Sequence, residues 1–182
     1  MIVCAGAMEQ FKFATPIGIG LIDATLNLTK ICMTHLPKSL LFVGTAGSYG
    51  DNDIFDILVS QTAVNIENSA MSEKSYTPIS NKVSLNDSDV SRETVVNSSN
   101  YITADKEISG YYLDKGIAIE NMEFYAVLKV AEAFDIPAKG VFIVTNYCDE
   151  NGHNEFLVNH ENAMEKITQY VKEQHLIESY NE

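Results

Sequence analysis

The run Leu40-Leu41-Phe42-Val43, echoed by Gly140-Val141-Phe142-Ile143-Val144, constrains this chain most. Each is short, continuous in apolar side chains and bounded by small or polar residues, which reads as a strand covered on both faces. Further strands are expected at Ile2–Ala5, Ile54–Val59, Thr94–Val96 and Gly116–Ile119. Between them lie helical spacings. Ile22, Leu26, Thr29 and Met33 fall on one face, and Pro37 ends that helix. Met122, Ala126, Val130, Ala133 and Phe134 mark a second helix, stopped before Pro137. Met164, Ile167 and Val171 mark a third, acidic and amphipathic, over about 159–175. The stretch 67–89 is rich in Ser and Asn and reads as a long excursion. Apolar runs separated by helices predict an α/β fold, a mostly parallel or mixed central sheet flanked by helices in three layers. One domain over residues 1–182 is the simplest account of this length.

Charge narrows the partners. The formal net charge is −13, and Arg92 is the only arginine. Such a surface repels a nucleic acid backbone and acidic lipid, so neither is expected as a partner. No apolar stretch is long enough to span a membrane. The start of the chain lacks a basic, then apolar, leader. Cys4, Cys32 and Cys148 show no metal or CxxC spacing, and a reduced, cytoplasmic setting is expected. Cys4 reads as a core residue and Cys148 as a loop residue. His35, His153, His160 and His175 lack paired spacing and read as surface or loop residues, so no metal site is expected.

In sheets of this kind ligands sit beyond the carboxyl ends of the strands. The residues just past each strand are therefore informative: Gly6-Ala7-Met8-Glu9, Gly44-Thr45-Ala46-Gly47-Ser48, Ser98-Ser99-Asn100-Tyr101-Ile102, Glu120-Asn121-Met122-Glu123 and Thr145-Asn146. Each alone is weak. A glycine turn can be only a tight bend, and a carboxylate at a helix start can serve the helix dipole. An Asn after a strand is often a turn former, and a tyrosine usually packs. Together, in this order, they resemble the nucleoside phosphorylase family, which includes methylthioadenosine/S-adenosylhomocysteine nucleosidases. The resemblance covers most of the chain, with Asn121-Met122-Glu123 and Thr145-Asn146 its more specific pieces.

The resemblance implies cleavage of the N-glycosidic bond of a nucleoside by phosphate or water, with no cofactor beyond phosphate as co-substrate. Glu123 would bind the ribose hydroxyls, since a carboxylate can accept from a vicinal diol. Met122 would lie along the sugar, and Tyr101 with Ile102 and Thr145 would complete the substrate site. Gly6, Gly44, Thr45, Ala46 and Gly47 would hold phosphate or the nucleophile through backbone N–H groups and the Thr45 hydroxyl. Asn146 stands where many members carry an aspartic acid that protonates the purine. An amide cannot act as a general acid, though it can donate a hydrogen bond to the leaving base. That points to a 6-oxopurine preference, and Asn146 and Glu123 are the expected catalytic pair.

The expected activity is thus a purine nucleoside phosphorylase-like glycosyltransferase releasing free base and ribose 1-phosphate. A methylthioadenosine/S-adenosylhomocysteine-type nucleosidase using water, or a nucleoside-binding protein without turnover, are the alternatives. Two departures bear on them. The segment between Gly6 and Pro16 is too short for the usual hairpin, and the arginines that commonly bind phosphate are missing except for Arg92. A homo-oligomer of two or more copies is expected, since sites of this family often borrow residues from a partner chain.

Overall fold

The computed structural model describes residues 1–85 and 94–180. In chain order, the first half contains β1 (Ile2–Cys4), β2 (Thr15–Pro16), α1 (Gly20–Thr34), β3 (Leu40–Ser48), β4 (Ile57–Ser60), β5 (Thr62–Val64), α2 (Asn68–Met71) and β6 (Lys82–Ser84). The second half contains β7 (Val95–Asn97), α3 (Lys106–Asp114), β8 (Ile119–Glu120), α4 (Phe124–Ala133), β9 (Ala138–Tyr147), α5 (Gly152–Glu173) and α6 (Leu176–Tyr180).

Among the described residues, nine strands form one mixed sheet. Its spine is β3 beside β9, parallel from Leu40↔Ala138 to Ser48↔Tyr147. Side chains alternate across a strand, and here both sets are apolar. Leu40, Phe42, Phe142 and Val144 pack with Ala24, Leu28 and Cys32 of α1 and with the buried face of α4. Leu41, Val43, Val141 and Ile143 pack with Ala163, Ile167 and Val171 of α5. Helices thus cover both faces, and this is the three-layer α/β architecture expected from the uninterrupted apolar runs.

The spine has an asymmetric edge. One side of β3 is taken by β9 along its length. On the other, β1 pairs in parallel at Leu41 and Phe42, and β8 pairs antiparallel at Gly47 and Ser48. Between Phe42 and Gly47 that edge changes neighbours, and the sheet splits there. The glycine-rich segment expected as a turn, Gly44–Gly47, is in fact strand and lies in this split. Its glycines serve close approach. A Cβ at Gly44 would lie 2.8 Å from the Phe42 ring and 2.9 Å from Glu9 Oε2, and one at Gly47 would lie 2.7 Å from Cys148 Sγ.

Other elements differ from expectation. In α1 the stripe Ile22, Leu26 and Met33 faces outward, Met33 being 75% exposed, while Gly20, Ala24, Leu28 and Cys32 are buried. The small side chains let α1 sit close to α4, so the smaller stripe wins the inner face. The strand expected over Ile54–Val59 is β4, three residues later, paired antiparallel to β9. β5 is an additional strand. The excursion over 67–89 contains α2 and β6, the latter paired antiparallel to β5; residues 86–89 of it and Arg92 lie outside the described residues. α3 is an additional helix. Its start is fixed by Asp105, whose carboxylate accepts from the N–H groups of Glu107 (2.9 Å) and Ile108 (3.1 Å). The last long helix begins at Gly152, earlier than expected. Cys4 is buried as expected, but Cys148, expected in a loop, is buried too, with Tyr49, Tyr112 and Ile117.

Candidate active site

The split in the sheet opens into a cavity of about 320 Å³. Its wall includes Gly6 to Glu9, Thr45 to Gly47, Glu120 to Glu123 and Asn146, with Tyr101, Ile102 and Phe156 nearer the opening. Glu123 and Asn146, distant along the chain, therefore face one space. So do Gly6, Thr45, Ala46, Gly47 and Met122. Gly44 and Thr145 do not. Gly44 lies against Glu9, and Thr145 is fully buried, its hydroxyl bonded to Asn146 Oδ1 at 2.9 Å. Tyr101 and Ile102 are 76% and 62% exposed, at the rim. Asn146 belongs to the last residues of β9 and not to a loop after it.

Local structure aims each group. Beyond Cys4 the chain turns back through Gly6 and Ala7, both at positive φ, and the Gly6 and Glu9 backbones bond to each other. This turn sends the Glu9 side chain to the place along β3 that β1 has vacated. There its carboxylate accepts both the N–H of Thr45 (3.0 Å) and the Thr45 hydroxyl. A carboxylate thus takes the donors that a neighbouring strand would have paired. Burial raises the Glu9 carboxyl above its usual range, and the Thr45 bonds offset part of that.

Asn121 builds the next corner. Its Oδ1 accepts from the N–H groups of Glu123 (2.9 Å) and Phe124 (3.0 Å), starting α4, while its Nδ2 donates to Thr45 O (3.1 Å). Glu123 is consequently held at the foot of α4 and buried, with Oε1 accepting from the N–H of Gly20 (2.8 Å) at the start of α1. Loss of water, then the negative charge of Glu9, pushes its carboxyl up to about 8. Glu123 is not merely a helix-dipole partner: it joins two helix starts and faces the cavity.

Sequence reasoning leaves three features out of the site. Glu9 stands only inside a motif, with no role. Glu120 shares the cavity, with Oε1 accepting from the N–H of Thr103 (2.9 Å) and Oε2 from the hydroxyl of Tyr49 (2.9 Å). Burial raises its carboxyl as well. His153 lines the cavity too, although its spacing suggests only a surface or loop residue. The available signal is the pair of carboxylates at the ends of β1 and β8. Among the described residues no Lys or Arg lines the cavity. The Gly44–Gly47 backbone, expected to cradle phosphate, is strand, and the Thr45 N–H and hydroxyl donate to Glu9.

The sequence profile of the phosphorylase superfamily matches residues 2–174. No curated protein matches the chain in sequence. Among solved structures, a Helicobacter pylori methylthioadenosine nucleosidase carrying an Asp-to-Asn substitution, with 5'-methylthioadenosine in its active site, superposes with a TM-score of 0.80 at 18% identity, over 94% of this chain and 95% of that one. A mutant futalosine hydrolase of the same organism gives 0.79 at 19% over the same shares. The Streptococcus pneumoniae methylthioadenosine/S-adenosylhomocysteine nucleosidase, with a transition-state inhibitor, gives 0.73 at 11% identity, over 92% of this chain and 94% of that one.

Proposed function

The chain belongs to the phosphorylase superfamily, and from that premise we propose that it is a nucleosidase, cleaving the N-glycosidic bond of a purine ribonucleoside with water. The observation that carries this reading is Glu9. A phosphorolytic site must receive a multiply charged anion. Here a carboxylate already occupies the Thr45 donors, and no Lys or Arg of the described residues lines the cavity. A carboxylate at the nucleophile's place repels phosphate and suits a water molecule, whose proton it can accept. The similar solved structures, named as nucleosidases and a hydrolase, support the same choice.

In this reading the base lies toward Asn146 and the sugar toward Glu123, whose Oε2 is the oxygen not bonded to Gly20. Water attacks the anomeric carbon as the C1'–N bond breaks, and the electron pair leaves with the base. Glu9 takes the water's proton. Asn146 hydrogen-bonds the departing heterocycle without protonating it. Among neutral substrates an amide there favours a 6-oxopurine, so inosine should exceed adenosine.

The test is release of free base from inosine, guanosine, adenosine and methylthioadenosine, with and without phosphate. Release independent of phosphate is expected and should fall about 10²–10⁴-fold in Glu9→Gln. Release that requires phosphate restores the phosphorylase reading, and calorimetric binding without release means a nucleoside-binding protein.

The outward stripe of α1, with Ile19, Tyr101 and Ile102 at the rim, is the contact we assign to a second copy of the chain. These large apolar side chains are all exposed, and they adjoin through Asn100, which accepts from the N–H of Leu21 (2.9 Å).

A further inference from the structure

His160 makes a bond that neither its helix nor the core requires. It lies on α5, half-buried, where its spacing in the sequence suggests only a surface or loop residue. Its Nε2 stands 3.0 Å from the Met8 carbonyl oxygen, 152 positions earlier in the chain. A carbonyl only accepts, so Nε2 carries the proton. The ring packs against Phe156, one turn back on α5, with centroids 4.9 Å apart. The other nitrogen, Nδ1, is buried and has no hydrogen-bond partner among the described residues. A buried bare nitrogen is costly, and packing alone would be better met by an apolar ring. What the imidazole adds is the bond to Met8.

The Met8 carbonyl is the far side of the peptide unit that carries the Glu9 N–H. That N–H donates to Gly6 O at 2.9 Å. One peptide plane is thus held from both sides, by the turn itself and by α5. The turn needs such a hold. Gly6 and Ala7 sit at φ of 97° and 52°, and for an alanine that conformation is of higher energy. Met8, 54% exposed, adds little packing to keep it in place. Yet this turn decides where the Glu9 carboxylate meets Thr45. A general base must stand within hydrogen-bond reach of its proton, and a displacement of about 1 Å can cost about 10²-fold in rate.

Charge acts in the same direction. Glu9 interacts with Thr45 from β3, Cys4 from β1, Glu123 from the foot of α4 and His160 from α5. His153, also on α5, lines the cavity. Of the four groups acting on Glu9, His160 alone can be positive, and its charge pulls the Glu9 carboxyl down against the effect of burial.

We propose that His160 is a positioning residue of the reaction: its Nε2–H holds the Met8–Glu9 peptide, and with it the Glu9 carboxylate, in line with the attacking water. The inference rests on the nucleosidase reading above, in which Glu9 takes the water's proton. His160 is not part of the cavity wall, so its effect reaches the reaction only through Glu9.

The experiment follows phosphate-free release of base across pH, using the full chain and whichever of the four nucleosides the parent cleaves fastest. His160→Phe keeps a ring against Phe156 and removes the donor. Its kcat should fall about 10–100-fold with KM within about two-fold of the parent. His160→Gln returns a donor without the charge and should recover most of that loss on the plateau. In both variants the acid limb of kcat/KM should move to higher pH, because Glu9 keeps its proton longer without a positive neighbour. In a Glu9→Gln background, His160→Phe should cost less than about two-fold, since no base remains to be placed. Nitrogen NMR of the parent at about pH 8 should find the His160 proton on Nε2. A His160→Phe kcat within about two-fold of the parent, or a His160→Gln no faster than His160→Phe while melting like the parent, overturns this inference and leaves the nucleosidase reading intact. So does a full further loss in the Glu9→Gln background, or a His160 proton on Nδ1. A parent that releases no base without phosphate overturns both.

Discussion

At the scale of single residues, the site gathers carboxylates denied water. Glu123 is the clearest case, because its carboxyl is pushed up to about 8 while an exposed glutamate titrates near 4.5. The groups facing it are the Glu9 carboxylate, the Gly20 N–H and Asn121. The folded state therefore binds a proton that the unfolded chain releases between those two pH values. Stability from this residue is complete below about pH 4.5 and is lost as pH rises through about 8. Thermal melts at pH 5 and pH 9 should show it. Glu123→Gln, which keeps an acceptor for Gly20, should lose about 5 °C less than the parent over that interval. A variant whose melting temperature falls in parallel with the parent would mean that Glu123 is not protonated in the fold.

At the scale of elements, the decisive feature is the split edge of β3, where β1 stops and β8 begins. The apolar runs of β3 and β9 are plain in the sequence because both faces are covered. Their ends are not, because Gly44–Gly47 looks like a turn and becomes a turn only when no partner strand runs beside it. β9 supplies that partner. The same limit hides the inner face of α1: two stripes of apolar residues fit a helical period, and only packing against α4 selects the one with Ala24 and Leu28. α3 is only nine residues long, and its clearest local signal is the Asp105 cap. Within the site, Glu123 and Asn146 are legible because each closes a motif. Glu120 is not, because nothing local tells that its strand lies opposite Gly47. That pairing makes a prediction. Gly47→Ala puts a methyl 2.7 Å from Cys148 Sγ and 3.1 Å from Asn146 Nδ2. The backbone there needs no positive φ, so the strand should persist while the slot fills. KM should rise about ten-fold with a smaller change in kcat, read from initial rates of base release.

At the scale of the whole molecule, two properties pull against each other. A net charge of −13 keeps copies apart, while the outward stripe of α1 invites association. Ile22, Leu26 and Met33 are 66%, 53% and 75% exposed along the outward face of α1. Leu26→Asp adds a charge at the centre of that stripe without touching the core. Light scattering should find the parent as a dimer or larger, with added salt favouring it, and the variant shifted to monomer at least about ten-fold at equal concentration. A parent that is monomeric at high salt would remove the contact.

The Thr45 amide hydrogen points at a side chain, where its neighbours along β3 point at other strands. It is accordingly a built-in indicator. In a proton–nitrogen spectrum its resonance should lie downfield while Glu9 is ionised and move upfield as that carboxyl takes up a proton, and in Glu9→Gln the movement should vanish. The nucleophile's side of the cavity can thus be titrated by a signal of the backbone, with no substrate present.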